Sequence, residues 1–220
     1  YSATAAVAAK FGMPLIGVMG EVDIARVNQN IIKAKHYGAK LKAVPGTLKE
    51  AITDAIKTWT TNPDFAYICG SVVSSHPFPK IVAFAQSIIG REIREQSLEQ
   101  EGKLPDMIVG CVGGGSNFAG AIYDFLDEPN VSKIGVEASE TAALTNGTPG
   151  IMQGMKTYML QNSDGSKSLG GTSLGAGIQY FSVGPQHSFL KDQGAVKYTS
   201  AADDEILDAY KLIARTEGIC

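Results

Sequence analysis

The chain has 220 residues, of which 44% are hydrophobic and 19% are charged, and its formal net charge is -3. This composition is ordinary for a globular domain, and the charge gives no electrostatic reason to expect nucleic acid or an anionic membrane as a partner. Cys69, Cys111 and Cys220 form no CxxC pair, which is typical of reduced thiols in a cytoplasmic protein. No apolar run approaches the ~18 residues that a membrane span needs.

Helix and strand signals alternate through the first seventy residues. A helix is predicted over 2–11, a strand over 14–19, a helix over 23–37 and a strand over 41–44. Thr47 and Glu50, three residues apart, then form a capping pattern that opens a helix reaching about residue 60. A further strand is predicted over 65–69. Strands separated by helices favour a mostly parallel sheet.

The remainder continues the same alternation after a polar turn at 70–79. We predict a long helix over 79–101, a strand over 107–112, a glycine turn over 113–116, a helix over 117–126 and a strand over 133–137. Within the Gly-, Ser- and Thr-rich stretch 138–171 only one strand is predicted, over 156–160, and a helix follows over 201–216. The chain opens on a helix already under way and closes where a strand or turn should follow, so we expect a segment of a longer polypeptide.

The strongest chemical signal is the run DMIVGCVGGGSNFAGAIYDF at 106–125. An apolar strand enters Gly113, Gly114 and Gly115, and Ser116 and Asn117 begin a helix. Glycines let an anion approach the backbone amides, and the helix dipole adds positive partial charge, so the run predicts a phosphate cradle. It is neither a P-loop nor a dinucleotide fingerprint, because both glycine spacings are absent. The alternative is a tight strand-to-helix turn without a ligand.

Other polar residues carry weaker signals. His76, in GSVVSSHPFP, is either a polar neighbour of an active site or a capping residue. His36 and His187, the latter at a loop-to-helix junction, are expected to be structural, and no two histidines have metal-ligand spacing. Cys111, inside an apolar strand, is expected to be a buried small residue.

Several motifs together resemble the tryptophan synthase β-subunit family, a branch of the fold-type II pyridoxal-phosphate (PLP) enzymes. VGGGSN after a strand is similar to the phosphate-binding loop of these enzymes, and the likeness extends over nearly the whole chain. The other matching blocks are ATAAVAAKFGM, VMGEVD, YGAKLKAV, SHPFPKIV, NVSKIGVEA, GMKTYMLQNSDG, AGIQYFSVGPQHSFL and TSAADDEILDAYKLIARTEGI. The resemblance implies a mobile subdomain over 1–70, a connecting turn and helix over 71–100 and a cofactor-binding domain over 101–220.

The resemblance also implies site residues in the block GAGIQYFSVGPQH. The equivalent loop of the family supplies backbone carbonyls to a monovalent cation, which here would be those of Ile178, Tyr180 and Ser182. Gln179 replaces a family Asp that pairs with an Arg of the mobile subdomain, matched here by Arg26. Gln can hydrogen-bond to a guanidinium but cannot form a charge-assisted pair, which puts this closing contact in doubt.

The activity that the resemblance implies is a PLP-dependent β-replacement in the full-length enzyme. L-serine and indole, or indole-glycerol phosphate with an α subunit, would give L-tryptophan in the cytoplasm, and the enzyme is expected to be a homodimer. The Schiff-base lysine and the acid/base glutamate are expected outside this chain, so the isolated chain is expected to be inactive. A stretch of about ten residues that the family carries after the position of Glu137 is expected to be absent here. Two alternatives stay open: another fold-type II synthase or dehydratase, and a non-catalytic homologue that binds a phosphorylated ligand.

Overall fold

The computed structural model describes residues 1–165 and 171–219, and their contacts divide the chain into two units, Tyr1–Ile68 and Cys69–Cys220. Parallel strands flanked by helices form the framework of each unit. The predicted α/β fold class is therefore confirmed. Among the described residues, no helix combines the length and apolar character needed to cross a membrane.

The first unit is built around two parallel strands, β1 (Ile16–Gly20) and β2 (Lys40–Val44). Small side chains let its helices pack closely, because Ala5, Ala34 and Ala39 form its buried cluster. Its helices are α1 (Ser2–Lys10), α2 (Glu21–Ile24), α3 (Asn28–His36) and α4 (Leu48–Thr61).

The predicted capping pair begins α4 as expected. A carboxylate oxygen of Glu50 accepts hydrogen bonds from the backbone amide of Thr47 at 2.8 Å and from its hydroxyl at 2.9 Å. These bonds occupy groups that a helix start otherwise leaves without partners. The local sequence thus fixes where this helix begins.

Two predictions for this part of the chain are wrong. The helix predicted over 23–37 is interrupted between α2 and α3, where the amides of Arg26 and Val27 bond three residues back rather than four. The strand predicted over 65–69 pairs with no strand among the described residues. There the ring of Tyr67 stacks on Trp59 of α4, with centroids 5.6 Å apart. Residues 65–69 are therefore held by side-chain packing and not by the strand pairing that was expected.

The second unit contains a three-stranded parallel sheet with the order β3 (Met107–Cys111), β4 (Ser132–Ala138) and β7 (Lys197–Ala201). An antiparallel hairpin, β5 (Thr148–Met152) and β6 (Met155–Met159), stands apart from this sheet. The α-helices are α5 (Phe78–Gln86), α6 (Ile88–Glu101), α7 (Ser116–Ile122), α8 (Ala143–Asn146), α9 (Pro185–Asp192) and α10 (Asp203–Glu217), and 3-10 turns cover Tyr123–Phe125, Ser139–Thr141 and Ala176–Ile178.

The single helix predicted over 79–101 is two helices, α5 and α6. At Ser87 the amide and the hydroxyl both bond to the carbonyl of Phe84, which ends the regular ladder. The break accompanies a close crossing with α7: a Cβ added to Gly120 would lie 2.3 Å from the Gln86 carbonyl oxygen, and one added to Gly90 would lie 2.8 Å from the Gly120 oxygen. Glycine at both positions allows these backbones to touch.

The core of the second unit lies directly behind the loop that joins β3 to α7. Its fully buried large side chains include Phe118 and Ile122 of α7 and Phe125 just beyond it. Because α7 is anchored by these residues, its first turn is held firmly at the end of β3. This is the position at which the sequence predicts a phosphate cradle.

Candidate functional site

The candidate site is the glycine loop, residues 113–117, between β3 and α7. Gly115 has φ +94° and ψ 13° and caps α7. The carbonyl groups of the loop are used inside the protein: that of Gly114 accepts from the Gly184 amide at 3.0 Å, and that of Gly115 accepts from the Ala119 amide at 2.9 Å. The loop is therefore fixed through its carbonyls.

The amides of the three glycines differ from these carbonyls in their hydrogen bonding. Among the hydrogen bonds between described residues, none uses the amide of Gly113, Gly114 or Gly115. The first amides of α7 also lack intrahelical acceptors, as at any helix start. A row of amides without acceptors, next to carbonyls that are engaged, matches what an anion such as a phosphate group requires. The residues present therefore fit a phosphate-bearing cofactor.

Each of the three glycines is also required by a protein neighbour. A Cβ on Gly113 would lie 2.6 Å from the Ile178 Cα, and one on Gly114 would lie 2.7 Å from the Ser71 Oγ. A Cβ on Gly115 would lie 2.3 Å from the His187 Nε2. The sequence suggested that glycines at 113–115 leave room for an anion. The structure shows that the same glycines are also needed for the loop to pack against its protein neighbours.

The polar side chains around the loop differ in availability. Asn117 is exposed, and its Nδ2 donates to the Cys111 Sγ at 3.4 Å, while Ser116 is half-buried. Ser71, which the sequence analysis did not single out, accepts a hydrogen bond from the Val73 amide at 3.1 Å, which leaves its own hydroxyl proton for an acceptor near Gly114. A serine beside a glycine gives no sequence signal, because only the fold brings it there.

Cys111 is exposed, so the expectation that it is buried is wrong. The cause is the pleat of β3: successive side chains point to opposite faces of the sheet, and Met107, Val109 and Cys111 lie on the face that stays exposed. An exposed thiol next to an amide donor is accessible to solvent.

His187, expected to be a structural histidine at a loop end, lies against the glycine loop. It is fully buried, with Nε2 2.7 Å from the Gly115 carbonyl oxygen and Nδ1 2.8 Å from the Tyr198 hydroxyl. Burial lowers the pKa of His187 to about 4, and the hydrogen bond to Gly115 opposes this shift. The ring is therefore neutral near pH 7.

Glu137, at the end of β4, is the buried carboxylate of this region. It accepts hydrogen bonds from the amides of Leu144 and Thr145 at 2.8 and 2.9 Å and from the Thr145 hydroxyl at 2.8 Å. Burial raises the pKa of Glu137, while these hydrogen bonds and the charge of Lys191 act in the opposite direction. The same carboxylate contributes, after burial, to the raised pKa of Tyr198. Glu137 thus anchors α8 beside the sheet.

The cation loop expected at residues 178–182 stays a prediction. The carbonyl of Ile178 already accepts from the Thr141 hydroxyl at 3.3 Å and from the Tyr180 amide at 3.2 Å. Ser182 is fully buried, and its hydroxyl has no hydrogen-bond partner among the described residues. Within that part of the chain, no group of three His, Cys, Asp or Glu residues suggests a metal ion. The carbonyls of Ile178, Tyr180 and Ser182 all stay predicted ligands.

Two further expectations are not decided by the geometry. Gln179 donates from Nε2 to the Gly171 carbonyl at 3.1 Å within the second unit, while Arg26 lies in the turn between α2 and α3 of the first unit. Their pairing stays a prediction. His76 is exposed and lines a cavity of about 420 Å³ together with apolar residues of α5, α7 and α9. Its participation in an active site also stays a prediction.

Comparisons with known proteins indicate the family of the chain. The family described as "Pyridoxal-phosphate dependent enzyme" matches residues 2–220. The tryptophan synthase beta chain of Allorhizobium ampelinum is 45% identical over 229 residues, which cover 99% of this chain and 56% of that protein. The crystal structure of a threonine deaminase from T.th. matches with a TM-score of 0.69 at 19% identity, covering 99% of this chain and 63% of the other. This chain thus spans little more than half of the curated relative, and the second likeness concerns the fold alone.

Proposed function

The chain belongs to the pyridoxal-phosphate-dependent enzyme family, and we propose from this premise that it supplies the phosphate-binding loop of an enzyme that joins L-serine and indole into L-tryptophan. The observation that carries the proposal is the glycine loop: the amides of its three glycines have no acceptors among the described residues, while the carbonyls of Gly114 and Gly115 are engaged. The identity of 45% to a tryptophan synthase beta chain supports the choice of reaction.

The proposed task of this chain is to bind and orient the cofactor. The amides of Gly113, Gly114 and Gly115 bind the phosphate, and the amide of Ser116 adds the positive end of α7. The hydroxyls of Ser116 and Ser71 and the side-chain amide of Asn117 are further donors. PLP, when bound, acts as an electron sink that makes the β-carbon of the amino acid open to replacement.

The same proposal covers the partners of the full-length protein. We expect a homodimer that uses free indole, or indole-glycerol phosphate when an α subunit is bound, and a monovalent cation near residues 178–182. The family likeness supports these expectations. A cytoplasmic location likewise stays a prediction.

The test uses the full-length protein that contains this chain. Gly114→Asp places a negative charge and a side chain in the loop, and PLP affinity should fall at least tenfold, or by ~1.4 kcal/mol. Gly102→Asp makes the same chemical change at an exposed glycine with no atom within 4 Å of its Cβ position, and should leave PLP affinity unchanged. Because Gly102 has φ +68°, this variant also loses stability, so it shows that lower stability alone does not weaken PLP binding.

A second variant protects the test against misfolding. Ser116→Ala removes one hydroxyl without adding bulk, and we expect PLP affinity to fall by about tenfold or more, because a hydrogen bond to a charged group is worth ~1.5–3 kcal/mol. Equilibrium titration of PLP, followed by absorbance, measures both constants. Unchanged affinity in both loop variants would mean that the phosphate binds elsewhere.

A further inference from the structure

His187 connects the glycine loop to the far edge of the described sheet. It lies in the first turn of α9, is 0% exposed, and bonds through Nε2 to the Gly115 carbonyl and through Nδ1 to the Tyr198 hydroxyl of β7. Its ring lies nearly parallel to that of Phe118, with an interplanar angle of 9° and centroids 6.0 Å apart. Ring packing and two hydrogen bonds thus leave the imidazole one orientation.

The donors and acceptors of this chain of bonds can be assigned from chemistry. A carbonyl oxygen can only accept, so Nε2 of His187 carries the proton that it donates to Gly115. The neutral ring has no second proton, so Nδ1 accepts from the Tyr198 hydroxyl. The bonds therefore run in one direction, from Tyr198 through His187 to the loop.

This direction matters because peptide groups are planar. The carbonyl of Gly115 and the amide of Ser116 belong to one peptide and point in opposite directions. The Gly115 carbonyl accepts from Nε2 of His187 at 2.7 Å and from the Ala119 amide at 2.9 Å, and these two donors together fix the Ser116 amide towards the opposite side. The Gly184 amide acts in the same way on the preceding peptide, because it holds the Gly114 carbonyl and so orients the amide of Gly115.

We propose that His187 and Tyr198 are positioning residues for cofactor binding, which hold the Gly115–Ser116 peptide so that its amide is directed at the phosphate. The inference rests on the proposed function, in which the glycine loop binds PLP. It adds that the affinity of the loop for PLP depends on a hydrogen-bond relay that reaches the loop through the Gly115 carbonyl.

The experiment compares four variants of the full-length protein. His187→Leu removes the donor and keeps apolar bulk, His187→Gln restores an N–H donor at a similar reach, and Tyr198→Phe removes one hydroxyl and keeps the ring. Ser188→Ala is the matched control: it is a buried neighbour in α9 whose hydroxyl accepts from the Tyr158 amide at 3.1 Å, on the hairpin rather than on the glycine loop. The readouts are the PLP dissociation constant and the ³¹P resonance of bound PLP, alongside thermal unfolding.

We expect His187→Leu to weaken PLP binding about tenfold and to shift the ³¹P resonance, and His187→Gln to return both towards wild type. Tyr198→Phe should weaken binding several-fold, because Nδ1 of His187 then lacks its donor. Ser188→Ala should lower thermal stability without changing either PLP readout. If His187→Leu does not fold, Tyr198→Phe decides the question.

The relay is refuted if PLP binding is unchanged in both His187→Leu and Tyr198→Phe, or if His187→Gln is as weak a binder as His187→Leu. Equal weakening in Ser188→Ala would show that general loosening of α9 is the cause, which also refutes it. The Gly114→Asp variant distinguishes failure of the proposed function from failure of the relay. Normal PLP affinity in that variant contradicts the proposed function itself. Weak binding there combined with silent relay variants contradicts only the relay.

Discussion

Acid should destabilise the fold through His187 by an amount that can be worked out. The pKa of this histidine is lowered from its ordinary 6.5 to about 4 by burial. The folded state therefore binds fewer protons than the unfolded state between these pH values, and stability is lost as pH falls through that window. The loss from this one residue is about 1.4 kcal/mol at pH 5.5 and about 3 kcal/mol at pH 4. Because the ring is fully buried, solvent screening reduces the effect little.

The assay is chemical denaturation of the full-length protein and its His187→Gln variant at pH 7, 5.5 and 4. The variant keeps a donor for Gly115 and has no imidazole at position 187 to titrate. The difference in unfolding free energy between the two proteins therefore isolates the contribution of His187 from those of the carboxyl groups and the other histidines. This subtraction is needed because the pKa of Glu137 is raised by burial, which makes its own contribution rise as pH falls. A difference that stays constant from pH 7 to pH 4 would contradict the argument, since the ring would then be as easily protonated when folded as when unfolded.

Two further predictions concern packing and capping. Gly120→Ala should destabilise the protein by about 1–3 kcal/mol, because the added Cβ would meet backbone atoms of Gln86 that cannot rotate away. Gly70→Ala is the control and should change stability little, because no atom lies within 4 Å of its Cβ position. Equal denaturation midpoints for the two variants would disprove the close crossing of the helices. Glu50→Ala should cost ~1 kcal/mol at pH 7 through loss of its bonds to Thr47. The Thr47 amide holds the pKa of Glu50 below its usual value, so this cost should vanish as pH falls through that lowered pKa; a cost that persists in strong acid would show that the carboxylate is not involved.

The features that could be predicted from sequence are those whose cause is local. The capping pair at Thr47 and Glu50 lies within one helical turn, and the glycine loop lies within one strand-to-helix connection. Their neighbours in sequence are their neighbours in space. The three acidic residues at the start of α10 likewise mark its first turn, and Glu205 accepts a hydrogen bond from the Ala202 amide at 2.8 Å.

The strands that were missed have weak local signals. β7, with the sequence KYTSA, lacks an apolar run, and its place is set by pairing with β4, more than fifty residues earlier. β5 contains both Pro149 and Gly150, which usually argue against a strand. Its hairpin partner is reached through Gln153 and Gly154, which both have positive φ, a geometry typical of a two-residue hairpin turn. A Gln-Gly pair signals this turn less clearly than Asn-Gly does.

His187 shows most directly why part of a site cannot be derived from a sequence alone. It stands 72 residues from the loop that it supports, and nothing nearby distinguishes it from an ordinary histidine at a helix start. Yet the short segment that includes Gly184 and His187 contacts two successive carbonyls of the glycine loop, those of Gly114 and Gly115, and the second also accepts from the Ala119 amide. Because each held carbonyl orients the amide on the other side of its peptide, we propose that these two residues help to set the direction of two successive donors, the amides of Gly115 and Ser116. The phosphate-binding signal in GGGSN therefore specifies which groups can bind an anion, and the distant segment determines where those groups point.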